Sequence, residues 1–173
     1  MDGARFEELV RQELLEPLRR YLARRTDPAT ADDVLAETLL VCWRRRDDVP
    51  EPALPWAYGV ARNCLANAER SVRRQRRAAG RLAVVDPPVE RSPAPGSRDD
   101  ALHDALARLS PDDAELLRLW AWEQLTPAEI ATVLDVTANA VSIRLTRARA
   151  KLREELGKVE AAAGHEEPGG GAT

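Results

Sequence analysis

Between Phe6 and Leu22 the apolar positions Phe6, Leu9, Val10, Leu14, Leu18, Tyr21 and Leu22 recur at intervals of three and four, with charged residues between them. That spacing predicts a helix with one apolar stripe, which Pro17 should kink or split because its ring removes a donor and crowds the preceding turn. A second stripe, Ala31, Val34, Leu35, Thr38, Leu39, Cys42 and Trp43, follows the same period. Asp32 and Asp33 stand at its start, where negative charge suits a helix N-terminus. Three prolines in DDVPEPALP predict a loop over 47–55. Pro55 can then open a helix that carries Trp56, Val60, Cys64 and Asn67 into a run of arginines. From Phe6 to Arg77 no period-two segment appears, so strands are not expected there.

The pattern stops in VVDPPVERSPAPGSR, where five residues are Pro or Gly, and this reads as an extended linker. Beyond it Leu102, Leu106 and Leu109 mark another helix. Ser110, Pro111 and Asp113 supply an N-cap, a first helical residue and an N3 acid for the next, which continues through Leu116, Leu117 and Trp120. Here Trp120 is expected in the core and Trp122, two residues on, partly exposed. Thr126, Pro127 and Glu129 repeat the device as T-x-x-E ahead of Ile130, Ala131, Val133 and Leu134. Asp135-Val136-Thr137 breaks the period, and a last helix carries Val141, Leu145, Ala148 and Leu152. The fold class expected is all-α, with two small helical domains. Their boundaries are 1–82 and 100–156, with a linker at 83–99 and, at 157–173, a tail of disordered composition.

A short helix, a turn of three or four residues and a second helix with a polar and basic outer face have the form of a helix-turn-helix. In that reading Ile130, Leu134, Val136, Val141 and Leu145 form the core, and Ala131 is small where the helices cross. Asn139, Ser142, Ile143, Thr146 and Arg147 then face outward towards base edges, with Arg144, Arg147, Arg149 and Lys151 available to phosphates. A plain helical hairpin shares the period but needs neither the paired proline caps nor so regular a turn.

Taken as a whole-chain average, net charge opposes nucleic-acid binding, since 26 basic and 29 acidic residues give -3. The distribution removes the objection. Residues 62–82 hold seven arginines against Glu69, a local +6, and 141–158 hold six basic residues against Glu154 and Glu155, a local +4, so the remainder sums to -13. Two concentrated basic segments on a repelling body suggest two separate anionic contacts. Cys42 and Cys64 lie 22 residues apart without a CxxC, and His103 and His165 are the only other soft ligands. A metal site, a disulfide framework and a cofactor are therefore not expected, and both thiols are read as buried. No catalytic Ser/His/Asp set, glycine phosphate loop or acid/base carboxylate pair emerges, so an enzyme is not expected. The acidic start MDGARFEEL has no apolar leader and no stretch approaches a membrane span, which predicts a cytoplasmic protein without membrane insertion.

These residues carry a resemblance. LSPDDAELLRLWAWEQLTPAEIATVLDVTANAVSIRLTRARAKL resembles region 4 of the extracytoplasmic-function sigma factors, small members of the sigma-70 family that direct RNA polymerase to promoters. ADDVLAETLLVCWRR is similar to region 2.2, and WAYGVARNCLANAERSVRRQRR to regions 2.3 and 2.4. The resemblance implies that Asp32, Asp33, Leu35, Glu37 and Thr38 dock on the clamp of the polymerase β′ subunit. For Asp32 and Asp33 a helix-capping role stands beside that one. It implies that Arg62, Asn63, Asn67, Arg70, Arg73 and Arg74 read the -10 element, and that 47–54 is the loop capturing a flipped base. Residues 138–149 would enter the major groove of the -35 element, with Asn139, Ser142, Ile143, Arg144, Thr146, Arg147, Arg149 and Lys151 as contacts. Regions 1.1 and 3 have no counterpart, the linker would run through polymerase between the two domains, and the partner implied is core polymerase with its β′ clamp and β subunits. Such proteins commonly have an anti-sigma partner.

The chain departs from the family pattern at Asp135, where Gly is frequent, at Ser142 and Ile143 in base-facing slots, and at Asn67, where Asp is common. Trp56 is a candidate melting aromatic, although its period with Val60 and Cys64 favours the core. Two rival classes are a LuxR-like regulator, which would need an α/β sensor domain, and a helical adaptor binding only protein.

Overall fold

The computed structural model describes residues 1–79 and 98–163, so the expected linker, apart from its last two residues, lies outside the described residues. Contacts divide the chain into two compact units, Met1–Pro87 with Ala128–Val136, and Pro88–Pro127 with Thr137–Thr173. The described secondary structure is entirely helical.

In the first unit α1 (Gly3–Leu9) passes through a π-helical turn (Val10–Leu14) into α2 (Leu15–Ala23). The interruption expected at Pro17 thus falls one turn earlier. Proline cannot donate to the carbonyl four residues back, and a widened turn immediately before it accommodates the missing bond. Next come α3 (Pro28–Arg44) and α4 (Ala53–Ala79), and α2, α3 and α4 pack mutually. Leu14, Leu18, Tyr21, Leu22, Val34, Cys42, Ala57 and Ala61 fill the space between them. Alanines at 57 and 61, one helical turn apart, keep that face of α4 shallow enough for close approach. Tyr21 and Tyr58 stack at 5.0 Å between centroids, and the Arg25 guanidinium covers Tyr21 at 3.6 Å. The polar side chain of Thr38 lies fully inside this core, and its hydroxyl donates to the Val34 carbonyl at 2.7 Å. That bond removes the cost of an unmet buried donor.

Two starts differ from expectation. The cap of α3 is Asp27, whose carboxylate accepts the Thr30 N–H at 3.1 Å with Pro28 at the first helical position. Asp32 and Asp33 therefore sit in the second turn, exposed, and do not cap. Likewise α4 opens at Ala53 rather than Pro55, which lies buried inside its first turn.

The second unit contains α5 (Arg98–Ala107), α6 (Pro111–Ala121) and α8 (Ala138–Ala163), with α5 and α6 both packed along α8. Ser110 caps α6 as expected, its hydroxyl accepting the Asp113 N–H at 3.2 Å. Leu116, Leu117 and Leu119 are buried, and this choice of face turns Trp120 outward, so it is exposed where a core position was expected. Trp122 is half-buried. The last helix continues beyond Gly157, where a disordered composition was expected. Lys158 pairs with Glu154 at 2.9 Å and Glu155 at 2.7 Å, and the alanines at 161–163 favour helix enough to carry it past one glycine.

The remaining helix, α7 (Pro127–Leu134), groups with the first unit and ends in a tight turn. Asp135 adopts φ 54°, and the Val136 N–H reaches back to the Ala131 carbonyl at 3.1 Å, a Schellman closure made without glycine. Gln124, in the turn before α7, also has a positive φ, 55°. Among the described residues no helix is long and apolar enough to cross a membrane, and no group of His, Cys, Asp and Glu is arranged to hold a metal ion.

Candidate nucleic-acid interface

The helix α8 separates its faces by burial. Val141, Leu145 and Ala148 point inward at spacings of four and three, whereas Asn139, Ser142, Ile143, Thr146 and Arg147 are all exposed. Its start is fixed by Thr137, whose hydroxyl accepts the Ala140 N–H at 3.2 Å, a cap that lies where the apolar spacing shows only a break. Ser142 and Thr146 donate back to the carbonyls of Ala138 and Ser142, each at 3.0 Å, so their oxygens are held close to the helix with lone pairs outward. Ile143 presents a bare apolar side chain, suited to a thymine methyl rather than to a hydrogen-bonding base edge. Val136, expected in the core, is exposed.

The four cations of this helix expected at phosphates differ in their freedom. Arg147 is exposed, with no ion-pair or ring partner among the described residues. Arg144 lies 3.8 Å from Asp112, Arg149 stacks over Trp120 at 4.6 Å, and Lys151 donates to Asp113 at 2.6 Å. Lys151 beside it, aided by the Ser110 cap, holds the Asp113 carboxyl below its ordinary range against the opposing effect of burial.

A second polar surface runs along α4. Asn63, Asn67, Arg70 and Arg74 follow one another at four, three and four residues and share an exposed face. Arg70 donates to the Asn67 side-chain oxygen at 2.5 Å, which leaves the Asn67 amide nitrogen as the outward donor. Arg73 is tied to Glu69 at 3.6 Å, and Arg62 is half-buried beside the stripe. Trp56 is also half-buried, with Arg45 above its ring at 5.4 Å, whereas its periodic companions Val60 and Cys64 belong to the core. Before α4, the loop and α1 enclose a cleft of about 390 Å³ lined by Arg5, Glu8, Gln12, Glu13, Pro50 and Glu51.

On α3 the five expected docking residues separate. Asp32, Asp33 and Glu37 are exposed, but Leu35 is only 7% exposed and Thr38 is fully buried. Both lie on the stripe facing α2 and α4, so neither offers a docking surface. The apolar groups that do face outward beside the acids are Leu40, 46% exposed, and Trp43, 39% exposed. Asp33, Glu37 and Leu40 are spaced by four and three and so line one ridge. The signal for Leu40 was available in its offset from the stripe.

Comparison with known proteins converges on one family. Residues 99–152 match the family described as Sigma-70, region 4. The ECF RNA polymerase sigma factor SigL of Mycobacterium tuberculosis is 35% identical over 150 residues, 81% of this chain and 84% of that protein. The "Probable RNA polymerase sigma factor RfaY" of Xanthomonas campestris is 31% identical over 145 residues, 78% of this chain, which spans only 36% of that longer relative. In fold the chain is similar to the sigma factor RpoE solved with the anti-sigma factor NepR from Bartonella quintana, with a TM-score of 0.62 at 20% identity, covering 87% of this chain and 94% of that one. Given a relative 35% identical over 81% of this chain and 84% of its own length, this chain belongs to the ECF RNA polymerase sigma factors.

Proposed function

We propose that this sigma factor binds core RNA polymerase through the exposed ridge of α3, holds the opened -10 strand along α4, and reads the -35 duplex with α8. The single observation that carries the reading is the division of α8, whose inward row is wholly apolar while its outward row offers an amide, two hydroxyls, an isoleucine and an exposed arginine. That mixture suits base edges in a major groove better than a solvated surface, which would favour charge at every outward position.

The roles divide by charge. α3 presents acids around an apolar centre, the composition of a protein-docking face rather than a DNA face, with the β′ clamp as the proposed partner. α4 presents amides and arginines, a track for a single strand whose bases are read while phosphates are neutralised. The cleft beside α1 is the proposed receptacle for a flipped base. Its lining mixes Arg5 and Gln12 with carboxylates, so it favours a neutral ring over a phosphate. The bond-making chemistry belongs to polymerase. We place the protein in the cytoplasm, on the nucleoid when in holoenzyme, with an anti-sigma protein as a further partner able to cover the α3 ridge. The domain limits proposed are 1–82 for polymerase and -10 contact and 100–156 for -35 contact, joined by 83–99.

Transcription in vitro with purified core polymerase on a genomic fragment library, followed by mapping of start sites, tests the reading. A shared two-part motif upstream of the starts is expected. Failure to join core, or initiation at random positions, would overturn it.

A further inference from the structure

Within the second unit, α6 lays its first turn and its outward tryptophan against the cations of α8. Asp112 faces Arg144 at 3.8 Å, Asp113 takes Lys151 at 2.6 Å, and Trp120 carries Arg149 at 4.6 Å. Three of the four cations assigned to phosphates thus already have partners on a neighbouring helix.

The two carboxylates are not equivalent. Asp113 is only 14% exposed, and its contact with Lys151 is a short charge-assisted hydrogen bond. Drawing Lys151 away to a phosphate would strand a carboxylate with little access to water, so the exchange gains nothing. Asp112 is 76% exposed and its contact with Arg144 is too long for a hydrogen bond. Such a pair is screened and easily opened, and a phosphate can take Arg144. Asp112 nevertheless competes with every incoming phosphate for Arg144. It opposes DNA of every sequence equally and does not touch a base.

We propose that Asp112 is a built-in counter-charge that weakens sequence-independent DNA binding by competing for Arg144, and that Lys151 is a strut joining α8 to α6 rather than a phosphate contact. This rests on the reading of α8 as the duplex-binding helix. With the phosphate attraction trimmed, occupancy depends more heavily on the base contacts of Asn139, Ser142, Ile143 and Thr146. Among the cations Arg147 carries the unopposed phosphate contact and Arg144 the opposed one.

The test uses the full chain and a mixed-sequence duplex of 30 base pairs, with affinity measured across a salt series. Asp112→Asn should bind about two- to fivefold more tightly. Its plot of log affinity against log salt should steepen by roughly one counterion. In an Arg144→Gln background the same change should have no effect. A gain that persists there would reflect net charge alone and overturn the pairing. Lys151→Gln should lower the unfolding temperature and leave the salt slope unchanged, whereas a slope shallower by roughly 0.9 would make Lys151 a phosphate ligand and overturn the strut. Arg144→Gln and Arg147→Gln separate the two levels. If neither weakens duplex binding, the reading of α8 fails and the proposal with it. If both do and Asp112→Asn is neutral, the counter-charge alone is refuted.

Discussion

Trp43 meets Phe6 edge to face, their ring centroids 5.4 Å apart and their planes at 68°. One side of the indole therefore braces α1 against α3 while the other remains open beside Leu40, and Arg46 covers part of it at 4.5 Å. The two outward apolar groups of α3 thus have separable duties. Leu40→Glu should weaken association with core polymerase at least about tenfold while changing stability by less than ~1 kcal/mol, because the side chain is largely in water already. Trp43→Ala should lose both, at a stability cost of about 2–3 kcal/mol, less than for a fully buried tryptophan. Thermal unfolding together with a core-binding titration checks the pair. Normal core binding by Leu40→Glu would remove α3's ridge from the interface.

Cys42 and Cys64 are both buried between α3 and α4, and burial raises both thiols; Cys42 is pushed up to about 11, with Cys64 adding to the effect. The unfolded chain loses the Cys42 proton near the ordinary value of 9.0 and the folded chain near 11, so the folded state holds more protons between those limits. Stability is then full below pH 9 and falls as pH rises towards 11, by up to about 2 kcal/mol. Urea titrations across that range should show the decline in the parent and lose much of it in Cys42→Ala. At neutral pH both thiols should resist alkylation until the chain unfolds.

Gln124, in the turn before α7, and Asp135, directly after its last residue, hold left-handed backbone, where a Cβ is unfavourable. Replacing either with glycine should stabilise the protein by about 0.5–1 kcal/mol, the larger gain at Gln124 because aspartate tolerates this conformation better. Chemical denaturation gives the comparison directly.

Charge reversal at Arg144 and Arg147 should abolish promoter-specific initiation and leave core association intact. Footprinting and a core-binding titration on the same preparations would expose the opposite result. Unchanged promoter occupancy would take α8 out of the DNA interface.

Asn67 offers its amide nitrogen outward because Arg70 occupies its oxygen. Asn67→Asp keeps the Arg70 contact but removes that donor. Formation of the open complex should fall several-fold with little change in fold stability, and a -10 base substitution at the affected position should lose its effect in the variant. Equal base preference in both proteins would relegate Asn67 to the helix surface.

Helix number and the division of α8 into two faces were legible from spacing alone, since Val141, Leu145 and Ala148 admit a single inward direction. Ser110 was legible because a hydroxyl followed by proline marks a start by local chemistry. What spacing could not resolve was which side of a broad stripe faces the neighbouring helices. Leu35 and Thr38 were assigned outward roles by resemblance and proved interior, while Trp120 took the solvent side because Leu116, Leu117 and Leu119 already filled the core. Start positions were obscured where several acids competed, as Asp27 with Asp32 and Asp33. Pairings such as Asp113 with Lys151, 38 positions apart, have no local signature at all.

From Arg147 the last helix runs on for four further turns, to Ala163, roughly 24 Å along its axis at 1.5 Å per residue. A fluorophore or fused reporter attached at that end would ride on a rigid mast, well clear of the groove-facing rows. Occupancy of a promoter could then be followed optically without disturbing the contacts being measured.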